Sequence, residues 1–154
     1  MRVVVAAVGR PRDAALAAAI REYEGRATRY WPLEVHEVRE EPARHSTPDI
    51  VRQREAARLA AKLPAGAQLV LCDLGGSTMT SEEFAQWLQR RREQATDVAF
   101  AIGGAFGLGE EVRARAAMRL ALAPWTLPHE LARLVLAEQL YRAGTILRGE
   151  PYHK

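Results

Sequence analysis

A chain of 154 residues fits one folded domain, residues 1–154, and a domain of that size buries roughly 70% of its unfolded-state surface, enough for a real core. Hydrophobic residues make up 48% and charged ones 27%, which excludes a disordered chain, and the longest apolar runs are far too short to cross a bilayer. The formal charge of +3 and isoelectric point of about 9.4 rest on 20 Arg against 2 Lys. Arginine suits bidentate phosphate contact, so nucleic acid is a candidate partner, although a GC-rich genome would favour the same composition. Cys72 is the single cysteine, so no intrachain disulfide can form, which fits a reducing cytoplasm.

Residues 2–8 read as a first buried strand; the segment is short, carries no convincing cleavage site and reaches Gly9-Arg10-Pro11 at once, unlike a signal peptide. Residues 12–30 follow as a helix weakened near its end by Gly25. Residues 33–38 alternate apolar and polar like a half-exposed strand, and residues 39–48, with two prolines and mixed charge, read as a mobile loop. A helix over 47–63 ends before Pro64, and residues 68–74 form a third strand. Thr80 and Glu83 make a capping box that opens a helix to about residue 94. Residues 98–102 are the fourth strand, 110–117 a short helix, 118–122 the fifth strand, and 128–147 a final helix. This alternation predicts an α/β fold, a mostly parallel sheet with helices on both faces.

The final helix has two apolar sides, Leu131, Leu134, Val135 and Tyr141 on one and Leu136, Leu140, Ala143 and Leu147 on the other. That is wider than one sheet face covers, which predicts a subunit interface, the alternative being a helix buried centrally within one subunit.

Two loops in the last third each follow an apolar run and precede a helix: Ile102-Gly103-Gly104-Ala105-Phe106-Gly107-Leu108-Gly109 and Leu122-Ala123-Pro124-Trp125-Thr126-Leu127-Pro128-His129. In an open α/β sheet such loops emerge together at the carboxyl ends of the strands, and that predicts one composite pocket. The glycines permit sharp turns and close ligand approach, yet G-x-G-x-x-G fails in every register and no Walker A sequence is present. Alone, the glycine loop is as well explained by a tight structural turn.

Taken together with Leu71-Cys72-Asp73-Leu74-Gly75-Gly76, with residues 133–143 and with the tail Pro151-Tyr152-His153-Lys154, these loops closely resemble the ribosomal RNA large subunit methyltransferase H family, of the SPOUT class. The resemblance runs from the Val-Gly end of the first strand to the last residue. It implies an S-adenosylmethionine-dependent enzyme that methylates N3 of a pseudouridine in 23S ribosomal RNA on the assembled ribosome. It also implies a cytoplasmic homodimer with a C-terminal trefoil knot, which sequence pattern cannot reveal and general folding rules disfavour. By the same resemblance Cys72, Gly103 and the run Leu122, Ala123, Pro124, Trp125, Thr126 and Leu127 surround the cofactor, with no metal and no membrane involved. Relatives often carry Gly-Lys after the third strand where this chain has Gly76-Ser77, which puts any contact made by that lysine in doubt.

The sulfonium cofactor is already a strong electrophile, so the protein has to align nucleophile, methyl and leaving sulfur and remove the N3 proton. His129 and His153 are the candidate bases, because imidazole is the side chain whose ordinary pKa lies nearest neutrality. The alternatives are a backbone-bonded early helix residue for His129 and a solvated terminus for His153. Arg142 matches a family position for a substrate phosphate contact. Tyr152 joins it as a stacking ring, completing a candidate catalytic set of His129, Arg142, Tyr152 and His153. Arg90-Arg91-Arg92 reads as a solvated helix terminus favoured by the dipole, and His36 and His45 are given no catalytic role. Two further readings remain at this level: an RNA-binding protein without cofactor, and a flavodoxin-like nucleotide binder. The second would place its phosphate loop after the first strand, where Gly9-Arg10-Pro11-Arg12 offers one glycine.

Overall fold

A computed structural model describes residues 1–153. Five strands and five helices alternate: β1 Val3–Val8, α1 Ala14–Ala27, β2 Leu33–Val38, α2 Pro48–Ala60, β3 Gln68–Ser77, α3 Ser81–Glu93, β4 Val98–Ile102, α4 Glu110–Arg115, β5 Met118–Leu120 and α5 His129–Leu147. The strands form one sheet in the order β2-β1-β4-β3-β5, and every neighbouring pair is parallel.

Side chains alternate across a strand, so β1 feeds two cores at once. Val3, Val5 and Ala7 join Phe84, Leu88, Phe100, Leu136 and Leu140 under α1, α3 and α5. Val4, Ala6 and Val8 join Ala56, Leu59, Leu71 and Val112 under α2 and α4. The expected helices on both faces follow from this. The first core is also pinned by a buried hydrogen bond, in which the Trp31 indole N–H donates to the Leu140 carbonyl at 2.8 Å.

Element boundaries moved where side chains cap the backbone. The Asp13 carboxylate accepts from the Leu16 amide at 2.8 Å, so α1 starts at Ala14 rather than at residue 12. Past Ala27 the chain tightens into turns, with Tyr30 N donating to Ala27 O at 3.0 Å. Thr80 and Glu83 form the expected capping box of α3. The Arg90-Arg91-Arg92 run does close that helix, but it is engaged: Arg91 donates to Gln68, while Arg92 lies 4.2 Å from the Trp31 ring and donates to Tyr30 O.

Four expectations are corrected. β3 runs on to Ser77 instead of stopping at residue 74, with a register shift between Cys72 and Ser77 against Leu120, so Gly75 and Gly76 lie in a bulged strand. β5 stops at Leu120 instead of residue 122, and α4 at Arg115 instead of residue 117. The segment read as a mobile loop is tied down: the Glu41 carboxylate bridges Arg54 and Arg58, and Arg58 donates to Arg39 O at 2.9 Å. The hydrogen bonds from Arg54 and Arg58 hold Glu41 below the usual carboxylate range.

Candidate functional site

Chain direction decides where a ligand can enter. β1 and β3 lead into α1 and α3 on one face of the sheet, whereas β4, between them, leads into α4 on the other. Neighbouring strands whose connections leave on opposite faces part at their carboxyl ends and open a crevice. Two cavities are found there, one on each side of the β4 loop.

The cavity between the β3, β4 and β5 ends holds about 600 Å³. Cys72, Gly103, Leu122, Ala123, Trp125, Thr126 and Leu127 all line it, together with Asp73 and His129; Pro124 does not. The glycine loop is shaped by its own backbone. Gly107 sits at φ +82°, a region other residues avoid, and its amide donates to Gly104 O at 3.0 Å. A Cβ on Gly103 would lie 2.7 Å from the Gly107 carbonyl carbon and 3.1 Å from Leu108 Cγ, so glycine at 103 is required for the loop to fold back on itself.

Burial pushes the Cys72 thiol up to about 12, which makes it an apolar wall and not a nucleophile. The neighbouring Asp73 carboxylate is opposed by burial, but hydrogen bonds from Arg119 and the Gly75 amide, with Arg113 nearby, bring its pKa below the ordinary range. Arg119 Nε and Nη2 lie 2.9 and 2.6 Å from Asp73 Oδ2, and Arg113 Nη1 lies 3.2 Å away. Sequence reading missed this ionised cluster because only the β3–β5 pairing brings residues 73 and 119 together.

On the other side of the β4 loop a cavity of about 1190 Å³ is lined by Arg10, Arg12, Glu40, Glu55, Phe106 and His129, among others. His129, the first residue of α5, therefore borders both spaces, with its Nε2 3.5 Å from Glu40 Oε1. Glu55 is buried, accepts from the Glu41 amide at 3.1 Å through one oxygen and leaves the other unpaired; burial raises its pKa.

The rest of the expected catalytic set lies elsewhere in the protomer. Tyr152 packs on Tyr141 with ring centroids 4.6 Å apart and donates to Glu138 Oε1 at 3.0 Å, and burial with these hydrogen bonds raises its phenol well above normal. Arg142 is held by the same carboxylate at 2.6 Å and lies 4.8 Å from the Tyr152 ring. His153 Nε2 meets Glu82 Oε1 at 2.6 Å, at the start of α3. Neither cavity is lined by these three residues. Nearby, α5 buries Leu136, Leu140 and Ala143 in the core and leaves Leu131, Leu134 and Val135 part-exposed. Its Arg133 is buried between Glu24 and Glu37 at 2.8 and 2.7 Å; burial opposes its charge, and the two carboxylates raise its pKa regardless.

The sequence has clear relatives. Residues 1–153 match the family described as "Predicted SPOUT methyltransferase". The chain is 67% identical, over the full length of both, to the Ribosomal RNA large subunit methyltransferase H of Gemmatimonas aurantiaca. It is 49% identical to the protein of that name from Anaeromyxobacter dehalogenans over all of both chains, and 44% identical to that from a Geobacter species over 99% of each. On a fold and a set of strand-end loops already described, the chain belongs to the SPOUT methyltransferase family.

Proposed function

We propose that this chain uses S-adenosylmethionine to methylate N3 of a pseudouridine in 23S ribosomal RNA on the assembled ribosome, as a cytoplasmic homodimer whose protomer is one domain over residues 1–154. The trefoil knot implied by the family belongs to the same proposal. The observation that carries the reading is the meeting of the β3, β4 and β5 ends on one cavity of about 600 Å³, within the range of small-ligand sites. Relatives across the full length carry a name that specifies large-subunit ribosomal RNA.

The donor set fits the cofactor. Ile102, Leu122 and Leu127 offer apolar walls for an adenine face, and backbone groups of Gly103, Trp125 and Thr126 offer polar partners that do not depend on side-chain identity. When bound, the cofactor supplies an activated methyl group. The chain has to hold the acceptor ring in line with it and take the N3 proton. His129 stands at the lip of the cavity with Glu40 to orient its ring, and is the base a single protomer provides. Arg142, Tyr152 and His153 serve the neighbouring protomer's cavity in this reading, with the part-exposed Leu131, Leu134 and Val135 as dimer contacts. Sedimentation should then return about twice the 17.1 kDa chain mass.

Calorimetric titration tests the reading. One S-adenosylmethionine or S-adenosylhomocysteine should bind per chain, and radiolabelled methyl should pass to ribosomes lacking the modification. Binding of ribosomes without cofactor affinity would favour a plain RNA-binding protein, and affinity for a nucleotide phosphate alone a flavodoxin-like binder.

A further inference from the structure

Among the described residues four large apolar side chains stand in solvent: Ile50, Leu74, Phe106 and Trp125, at 38, 51, 39 and 77% exposure. Three of them line the cavities at the carboxyl ends of the strands, each from a different segment: Leu74 from β3, Phe106 from the loop after β4 and Trp125 from the loop after β5. Ile50 lies in the first turn of α2 and lines neither cavity. Exposed apolar side chains scattered over a surface need no explanation, but gathered on two adjoining cavities at one end of a sheet they mark a binding site. The other two tryptophans, Trp31 and Trp87, are 1 and 7% exposed and belong to the core.

We infer that the Trp125 ring is the stacking platform for the RNA base that receives the methyl group. This rests on the methyltransferase reading above. N3 lies on the Watson–Crick edge of a pyrimidine, so the ring has to leave its helix before any methyl donor can reach that edge. Once out of the stack it needs a flat partner that grips its face and leaves its edge free, and an indole gives this at any base. Trp125 offers such a face at the mouth of the cavity where the methyl would be delivered, with Leu74 as an apolar side wall and Phe106 on the adjoining cavity. Arg10 and Arg12, with side chains 88 and 80% exposed, border the adjoining cavity, where each pairs with a glutamate, Glu37 and Glu40. The backbone of the loop at 125 still serves the cofactor; its side chain serves the substrate.

The test uses Trp125→Ala and Trp125→Phe in the full-length protein, with ribosomes from a strain lacking the modification as substrate and saturating S-adenosylmethionine. Alanine should lower kcat/KM for ribosomes roughly 10- to 100-fold. Phenylalanine should restore most of it, while calorimetric affinity for S-adenosylmethionine stays within about twofold and the sedimentation coefficient is unchanged. Acrylamide quenching of wild-type fluorescence reads Trp125 directly, since the other two tryptophans are buried, and should remain efficient in the free protein. Full activity of the alanine variant overturns the inference. So does a loss of cofactor affinity in both variants, which would give the ring to the cofactor, or shielding from acrylamide in the free protein, which would give it to a second copy. A wild-type protein that methylates no ribosome overturns the functional reading itself, and this inference with it.

Discussion

Apolar side chains of one sheet meet opposite fates at its centre and at its rim. In β1 and β4 all eleven residues, from Val3 to Val8 and from Val98 to Ile102, are buried between two layers of helix. Leu74 in the outer part of β3, and Phe106 and Trp125 in the loops after β4 and β5, stand in water. The centre is filled because alternating side chains on a two-faced sheet have nowhere else to go, and burying each large one stabilises the fold by about 1.5 to 3 kcal/mol. The rim gains no such stabilisation from its exposed side chains. Its shape is set by glycines that let the backbone double back and by charges such as Asp73 held between Arg113 and Arg119. Centre and rim should therefore separate experimentally into stability and function.

The largest expected effect tests that separation at the tail. Truncation after Gly149 removes Tyr152 and His153 and should abolish methyl transfer while leaving cofactor affinity within about twofold. If the truncated protein methylates ribosomes at the full rate, the tail is a structural strap on Tyr141 and nothing more.

Gly103→Val strikes the rim. Because its Cβ collides with the Gly107 backbone, the loop must open, and S-adenosylmethionine affinity should fall at least tenfold, about 1.4 kcal/mol, with the thermal midpoint little changed. Unchanged affinity in a folded variant would remove this loop from the site. Gly144→Ala is its counterpart in the centre. A methyl there would run into the Tyr30 ring and lie 2.6 Å from Tyr30 Cβ, where the turn after α1 meets α5. Unfolding in urea should show a loss of about 1 to 3 kcal/mol, with cofactor affinity retained. A variant that keeps its stability and loses binding would contradict the division.

The smallest effect is electrostatic. Asp73 has a folded-state pKa below its unfolded value, so the stabilisation it brings is present above the unfolded carboxylate range and is lost as pH falls through the folded value. Wild type should therefore lose more stability than Asp73→Asn as pH drops below about 4, measured by denaturant unfolding across that window. Parallel curves for the two proteins would show that the arginines do not hold the carboxylate.

Much of the centre can be read from the chain itself. Apolar runs and one capping box locate β1, β2, β4 and the start of α3 because those signals are local. The chain alone gives the third strand over 68–74, and pairing with β5 is what carries it through Gly75 and Gly76 to Ser77. The site divides in the same way. The two late loops are assigned to one pocket from their place after strands and the Cys72 loop joins them by the family resemblance; Cys72, Gly103 and most of residues 122–127 line one cavity. Asp73 with Arg119, His129 with Glu40, and the unpaired Glu55 oxygen depend on contacts between distant segments, which no spacing along the chain encodes. Exposure of Trp125 is equally invisible in sequence, where the resemblance puts the residue in the cofactor run without saying which way its ring lies.

Mass spectrometry of 23S ribosomal RNA tests the central claim most directly. Ribosomes from a strain lacking this gene are incubated with the purified protein and S-adenosylmethionine, and the RNA is digested and sequenced by fragment mass. The account predicts one added methyl group, on N3 of a single pseudouridine, absent when cofactor is withheld. No added methyl, or methylation at another base or position, would contradict it.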